Sequence, residues 1–212
     1  MKRSVPTMPP DAEAAAVLQE WADQPDSLLD VSALDLSHAD LSGLDFAMAL
    51  LCETVLRNAK LVGTDLYRAH LEGAVLDRAD LSHATMVKAE LDETSLNGTV
   101  LDGANLGSAE LYEVDARSAR LRSARLNGAS LIEVGLQGAD LSGASVRETS
   151  LKAVLDGHTV VTGLSGTLFG PAVIDEAGAR REVGGMDLEQ WLNGRGAEVR
   201  VLRSAGRTPR SI

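Results

Sequence analysis

From Val31 to Leu151 every fifth residue is apolar, and the register never slips. The series runs Val31, Leu36, Leu41, Phe46, Leu51 and on to Leu141, Val146 and Leu151, 25 units in all. Two residues before most of these stands a small or β-branched residue, as at Ala39, Thr54, Ala59, Ala69, Ala104 and Ala139, with Leu34 and Leu44 larger. Such a period matches neither the roughly 3.6 residues of a helical turn nor the roughly 2 of a strand. It describes a solenoid, in which one short unit cannot bury its own apolar side chain and stacking does so instead. Each buried Leu contributes roughly 1.5–3 kcal/mol, so the series predicts a continuous apolar column. Ala116 stands where a Leu is expected and Val114 where an Ala is, an exchange of volume inside one unit that predicts no cavity.

The rest of the composition fits a narrow column. Aromatic residues are 3% of the 212, few for an ordinary core of this size. The net charge of -11 argues against a nucleic-acid-binding surface, so no direct nucleic-acid binding is expected, and it favours a protein partner with a basic surface. A single cysteine, Cys52, forms no internal disulfide, which suits a reducing cytoplasm. The N-terminus lacks an apolar signal segment, and no run reaches the roughly 18 apolar residues of a membrane span. A cytoplasmic protein without membrane contact is the expectation.

Outside the series the chain changes character. Residues 1–8 read as disordered. Pro9 and Pro10 open a helix, with Asp11 and Glu13 at its positive end and Ala14, Ala15, Val17, Leu18 and Trp21 along one side; Pro25 stops it. Residues 9–30 are thus a capping helix and linker, with Trp21 a plug over the first coil. Residues 31–155 are the repeat. Residues 156–202 read as a small α/β module for capping or homodimerisation, with strands at Thr159–Val161 and Ala172–Ile174. A turn at Asp175–Gly178 leads to Arg180–Val183, Asp187 caps a short helix ended by Gly194, and Ala197–Leu202 is a last strand. Trp191 suits either the core of this module or an oligomer interface. Residues 203–212 read as a basic flexible tail.

The units Ala39-Asp40-Leu41-Ser42, Ala79-Asp80-Leu81-Ser82 and Ala139-Asp140-Leu141-Ser142, with Ala104-Asn105-Leu106 and Ala109-Glu110-Leu111, resemble the pentapeptide-repeat family and its A-(D/N)-L-x-x motif. The resemblance implies an all-β solenoid: a right-handed quadrilateral β-helix, four units per coil and about six coils here, with the Leu and the preceding Ala pointing inward. At a strand spacing of about 4.8 Å the rod would be roughly 29 Å long.

With four units per coil, residues twenty apart share a face. The face of the units centred on 31, 51, 71, 91, 111, 131 and 151 carries Asp30, Glu53, Glu72, Glu90, Asp92, Glu93, Glu110, Glu113 and Glu133, opposed by Lys152 alone. The other three faces are near balance. Like charges on adjacent strands cost roughly 0.2–1 kcal/mol per pair, so this stripe is either a solvated face that keeps solenoids apart or a docking surface for a basic groove. Some bacterial members of the family, of the fluoroquinolone-resistance type, act as DNA mimics whose acidic rods bind DNA gyrase or topoisomerase IV. The resemblance implies such a role, with a general protein-interaction scaffold as the alternative. Two departures stand out. Some gyrase-protecting members carry loops that interrupt the repeat, which this chain lacks. And Arg117, Arg120, Arg122 and Arg125 form a basic belt that would repel a DNA-binding groove.

Nothing in the chain points to catalysis. His38, His70, His83 and His158 do not recur at a ligand spacing, so no metal site and no cofactor are expected. No G-x-S-x-G, P-loop or C-x-x-C occurs. The Asp before each Leu belongs to the motif, so paired carboxylates carry no acid–base meaning.

Overall fold

The computed structural model describes residues 4–24 and 27–202. Its body is a β-solenoid flanked by two helices. Parallel bridges link residues twenty apart over and over: Asp30 to Leu50, Leu50 to His70, His70 to Glu90 and Glu90 to Glu110 on one side, Asp40 to Lys60, Asp80, Val100, Arg120 and Asp140 on another.

Each unit is built the same way. Val31 C=O accepts from the Leu34 N–H at 3.1 Å, closing a turn whose third residue, Ala33, has φ 59°. That left-handed residue recurs at every fifth position from Ala33 to Glu148. Most of these are not glycine, and such residues persist only where surrounding structure over-determines them; here hydrogen bonds from the next coil do so, as in Ala33 N–H to Cys52 C=O at 2.9 Å. The motif Asp has its own task. Asp35 accepts from the Ser37 N–H at 2.8 Å, and Asp40, Asp80 and Asp140 do the same for Ser42, Ser82 and Ser142, pinning the turn as Asx side chains do. Hydrogen bonds from Ser37 and Ser42 hold Asp35 and Asp40 below the usual carboxylate range.

The Leu column is buried throughout, from Leu36 to Leu141. Threonine is tolerated in this apolar interior because it satisfies itself: Thr54, Thr64, Thr94, Thr99 and Thr149 donate to the carbonyls of Val31, Leu41, Leu71, Leu76 and Leu126 at 2.7–3.1 Å. A buried hydroxyl without such a partner would be costly. Val114 and Ala116 are 1% and 3% exposed. The interior void lies farther on, lined by Leu126, Leu131, Leu155, Leu168 and Leu192 among others, and its volume of ≈ 10 Å³ is at the lower limit for one water.

The helix α1 (Ala12–Asp23) lies over the first coil. Asp11 caps it, accepting from the Ala14 N–H at 2.8 Å. Ala14, Leu18, Trp21 and Ala22 are buried, with Trp21 edge-on to Phe46 at 5.2 Å. Pro25 lies outside the described residues, as do residues 1–3. Within the segment expected to be disordered, Thr7 instead pairs with Asp40 through two backbone hydrogen bonds, and Val5 and Met8 pack on the core. The exposed edge of the first coils recruits the chain that precedes the helix.

Extended strands replace single bridges toward the C-terminal end: β1 (Glu110–Tyr112), β2 (Ser130–Gly135), β3 (Ser145–Asp156), β4 (Ser165–Phe169), β5 (Ala172–Glu176), β6 (Ala179–Val183) and, after helix α2 (Gly185–Asn193), β7 (Glu198–Leu202). They form one sheet. β4 and β5 both pair parallel with β3, β6 returns antiparallel to β5, and β7 lies parallel on β4. The C-terminal α/β segment thus continues the stack rather than standing apart from it. The sequence signal ends at Leu151, yet Val160 still bridges Asp140, and Val161, Leu164 and Leu168 still point inward. Thr159–Val161 is a corner with one bridge rather than a strand. The cap of α2 is Gly184, which supplies no side-chain hydrogen bond; Asp187 sits inside the first turn instead. Gly194 ends the helix, as the sequence suggests. The tail 203–212 lies outside the described residues.

Candidate functional site: an acidic face on the solenoid

The bridge register sets what stacks on the acidic face. One column, just before the buried Leu, reads Leu50, His70, Glu90, Glu110, Ser130. Alongside, Glu72 and Asp92 are half-buried, while Glu53, Glu93, Glu113 and Glu133 occupy left-handed turn residues and are exposed. Glu90 and Glu110 are bridge partners, so two like charges face each other on neighbouring strands. The structure brings all nine predicted acidic residues to this side, with Asp30 at the start of the column through its bridge to Leu50. Asp92 is engaged, accepting from the Tyr112 N–H at 2.9 Å, and Glu133 pairs with Lys152 at 3.2 Å. No other Lys or Arg ion pair reaches these carboxylates among the described residues.

Their crowding shows in their neighbours. Glu113, Glu133 and Glu93 surround Tyr112; a hydrogen bond to Glu113 is the chief cause of a phenol pushed up to about 12. Glu72 and Glu90 divide one burden. Contact with Glu72 pushes Glu90 above the ordinary carboxylate range, with Glu110 adding to it. Burial opposes ionisation of Glu72, but hydrogen bonds from its own N–H, Cys52 and His70 outweigh it and hold Glu72 low.

Sequence spacing missed one assembly here. His70 Nδ1 lies 3.3 Å from Glu72 Oε1 and 3.2 Å from Glu90 Oε2, and the three ligating atoms fall within 4.8 Å of one another. Cys52 Sγ donates to the other oxygen of Glu72 at 3.4 Å. A search for ligand spacing along the chain does not find this set, because His70 and Glu90 meet only through the twenty-residue register. Next to it, Leu28, Met48, Arg68, Lys88, His70, Glu90 and Glu110 line an open groove of ≈ 750 Å³.

The arginine belt is different. Arg117 and Asp115 form a two-pronged pair, at 2.8 and 2.6 Å; Arg122 reaches Asp140 at 2.6 Å, and Arg120 pairs with Asp102. Asp102 and Asp140 stand on the coils before and after. Arg125 is exposed on another side. Three of the four belt charges are thus answered within the rod. Trp191, offered by sequence as core or interface, is 9% exposed on α2 under Arg195, whose guanidinium lies 3.8 Å from the indole centroid. That burial places it in the core and leaves little of it for an interface.

A family model described as pentapeptide repeats matches residues 35–73, 74–110 and 109–147, in 8 copies. No curated protein matches the chain. Among solved structures, QnrB1, described as a plasmid-mediated fluoroquinolone resistance protein, is 16% identical over 83% of this chain and 94% of its own, with a TM-score of 0.46. HetL from Nostoc sp. strain PCC 7120, involved in heterocyst differentiation regulation, is 25% identical over 73% and 90%, at 0.23. Rfr23 from Cyanothece 51142 is 27% identical over 61% and 89%, at 0.29.

Proposed function

The chain belongs to the pentapeptide-repeat family, and on that premise we propose that it is a non-catalytic binding protein whose acidic face docks into a basic groove of a protein partner. The solenoid is read as right-handed and four-sided, of about six coils, in keeping with bridges between residues twenty apart. The observation that carries the docking reading is the unbalanced stripe: Glu53, Glu90, Glu93, Glu110 and Glu113 lack a Lys or Arg partner among the described residues, whereas Asp77, Asp102, Asp115 and Asp140 elsewhere on the rod each meet an arginine. A groove built for DNA is one such partner. Duplex DNA presents one charge per about 1.7 Å, and one or two carboxylates per coil are sparser but of the same order.

The family resemblance directs the reading to DNA gyrase or topoisomerase IV, with modulation or protection against fluoroquinolones as the outcome. The belt that argued against a DNA-binding groove weakens as an objection, since Asp115, Asp102 and Asp140 offset three of its charges. The test is a gyrase supercoiling assay with and without fluoroquinolone. The wild-type chain is expected to inhibit or protect, and reversal of Glu90, Asp92, Glu93, Glu110 and Glu113 to Lys is expected to abolish the effect. No effect of the wild-type chain on either enzyme sinks the topoisomerase reading and leaves a scaffold for another partner.

A further inference from the structure

Most of the acidic face offers oxygen alone, but at one place a nitrogen donor is set between two carboxylates. His70, Glu72 and Glu90 come from two successive coils whose backbones are locked. His70 N–H donates to Ala49 C=O at 3.0 Å and its C=O accepts from Leu51 at 2.8 Å; Glu90 N–H donates to Ala69 at 3.0 Å and its C=O accepts from Leu71 at 2.8 Å. The Glu72 carbonyl accepts from Glu53 at 2.8 Å. The backbone positions that carry the donors are therefore held before any ligand arrives.

Their spacing suits one class of ligand. Zinc binds imidazole nitrogen at about 2.0–2.1 Å and carboxylate oxygen at about 2.0–2.2 Å, so adjacent ligands of a tetrahedral shell lie about 3.3 Å apart. The two His70–Glu separations are 3.3 and 3.2 Å. Imidazole selects transition metals over magnesium and calcium, which prefer all-oxygen shells. The Cys52 thiol, donating to the second oxygen of Glu72, stands where an outer partner would orient that carboxylate.

We propose that His70, Glu72 and Glu90 form a binding site for a divalent transition metal, zinc by its donor set. His70 and Glu90 also line the ≈ 750 Å³ groove, so a fourth ligand, water or an incoming side chain, has open access. With side chains 35–48% exposed, the site is an open surface centre. The inference does not rest on the docking reading, because metal binding is measured on the protein alone.

The full-length protein, stripped with a chelator, would be titrated with zinc chloride by calorimetry in excess magnesium. One zinc per chain is expected, with affinity falling by more than about 10-fold in His70→Ala and in Glu90→Gln, at least the loss an outer-shell change produces. Glu113→Gln, on the same face, should leave it unchanged. Cobalt should show a tetrahedral absorption spectrum that His70→Ala abolishes. Circular dichroism shows whether each variant keeps the wild-type fold, and His70→Gln is a second, milder replacement. Absence of zinc binding, equal affinity in His70→Ala, or displacement by magnesium would overturn the proposal, the last two marking loose counterion attraction to the stripe.

Discussion

The acidic stripe and the arginine belt sit on the same scaffold and obey opposite rules. Around the belt, Arg117, Arg120 and Arg122 each meet an aspartate within the rod. Along the stripe, Glu90 is stacked on Glu110, and Tyr112 is ringed by Glu93, Glu113 and Glu133. The repeat can place counter-charges on adjacent coils and does so for Arg120 and Arg122, whose aspartates stand 18 residues away. The stripe is therefore charge the fold has not neutralised, and an unneutralised charge on a rigid surface is where an outside partner gains most. Net charge alone, at -11, does not make this distinction.

The largest expected effect tests what the two regions share. Leu91→Ala, beneath the stripe, should cost about 2–5 kcal/mol in denaturant unfolding, because the column cannot collapse around the gap; a loss under about 1 kcal/mol would mean the column is loosely packed. Next come the surface charges, where the two regions should respond with opposite sign. Glu110→Lys should stabilise by roughly 0.2–1 kcal/mol as like-charge contacts are relieved. Arg122→Ala should destabilise by up to about 1 kcal/mol, the range of exposed ion pairs. Equal signs would erase the contrast.

Acid should separate the regions again. Burial pushes the Asp140 carboxyl up, but Ser142 and Arg122 outweigh it and hold it below 3.8. A lowered carboxylate stabilises the fold above the usual range and loses that contribution as pH falls through its folded value. Glu90 is raised above 4.5, among Glu72, His70 and Glu110. The native state then holds its proton more tightly than the unfolded chain, so stability should rise as pH falls from neutral toward 4.5. Unfolding midpoints at neutral, mildly acidic and strongly acidic pH should thus climb and then drop, and Glu90→Gln should flatten the climb. The smallest effect is spectroscopic. The phenolate absorbance attributed to Tyr112, taken as a difference from Tyr112→Phe, should titrate near 12 and move toward 10 in Glu113→Gln.

Much of this was legible in the chain, and the reasons are local. The five-residue period of Val31 to Leu151 locates the buried column because a unit that repeats its sequence repeats its environment. The stripe was legible by counting residues twenty apart. The C-terminal end was legible in its elements, since Ala172–Ile174, Arg180–Val183 and Ala197–Leu202 fall in or on β5, β6 and β7, but not in their pairing: once Leu gives way to Thr159-Val160-Val161, the stack is held by backbone pairing among β3, β4, β5 and β7, which carries no sequence period. Thr7 on Asp40 was hidden for the same reason.

By itself, then, the sequence determined the solenoid, its Leu interior and the side on which its acids gather, since all three depend on spacing along the chain. Only the tertiary structure decided which charges are answered and which are not. It set Arg122 on Asp140, left Glu110 against Glu90, drew Trp191 into the core, and brought His70 between Glu72 and Glu90. Those outcomes depend on side-chain reach between coils at distances of a few ångströms, and Coulomb energies that change over such distances are invisible to a count of residues.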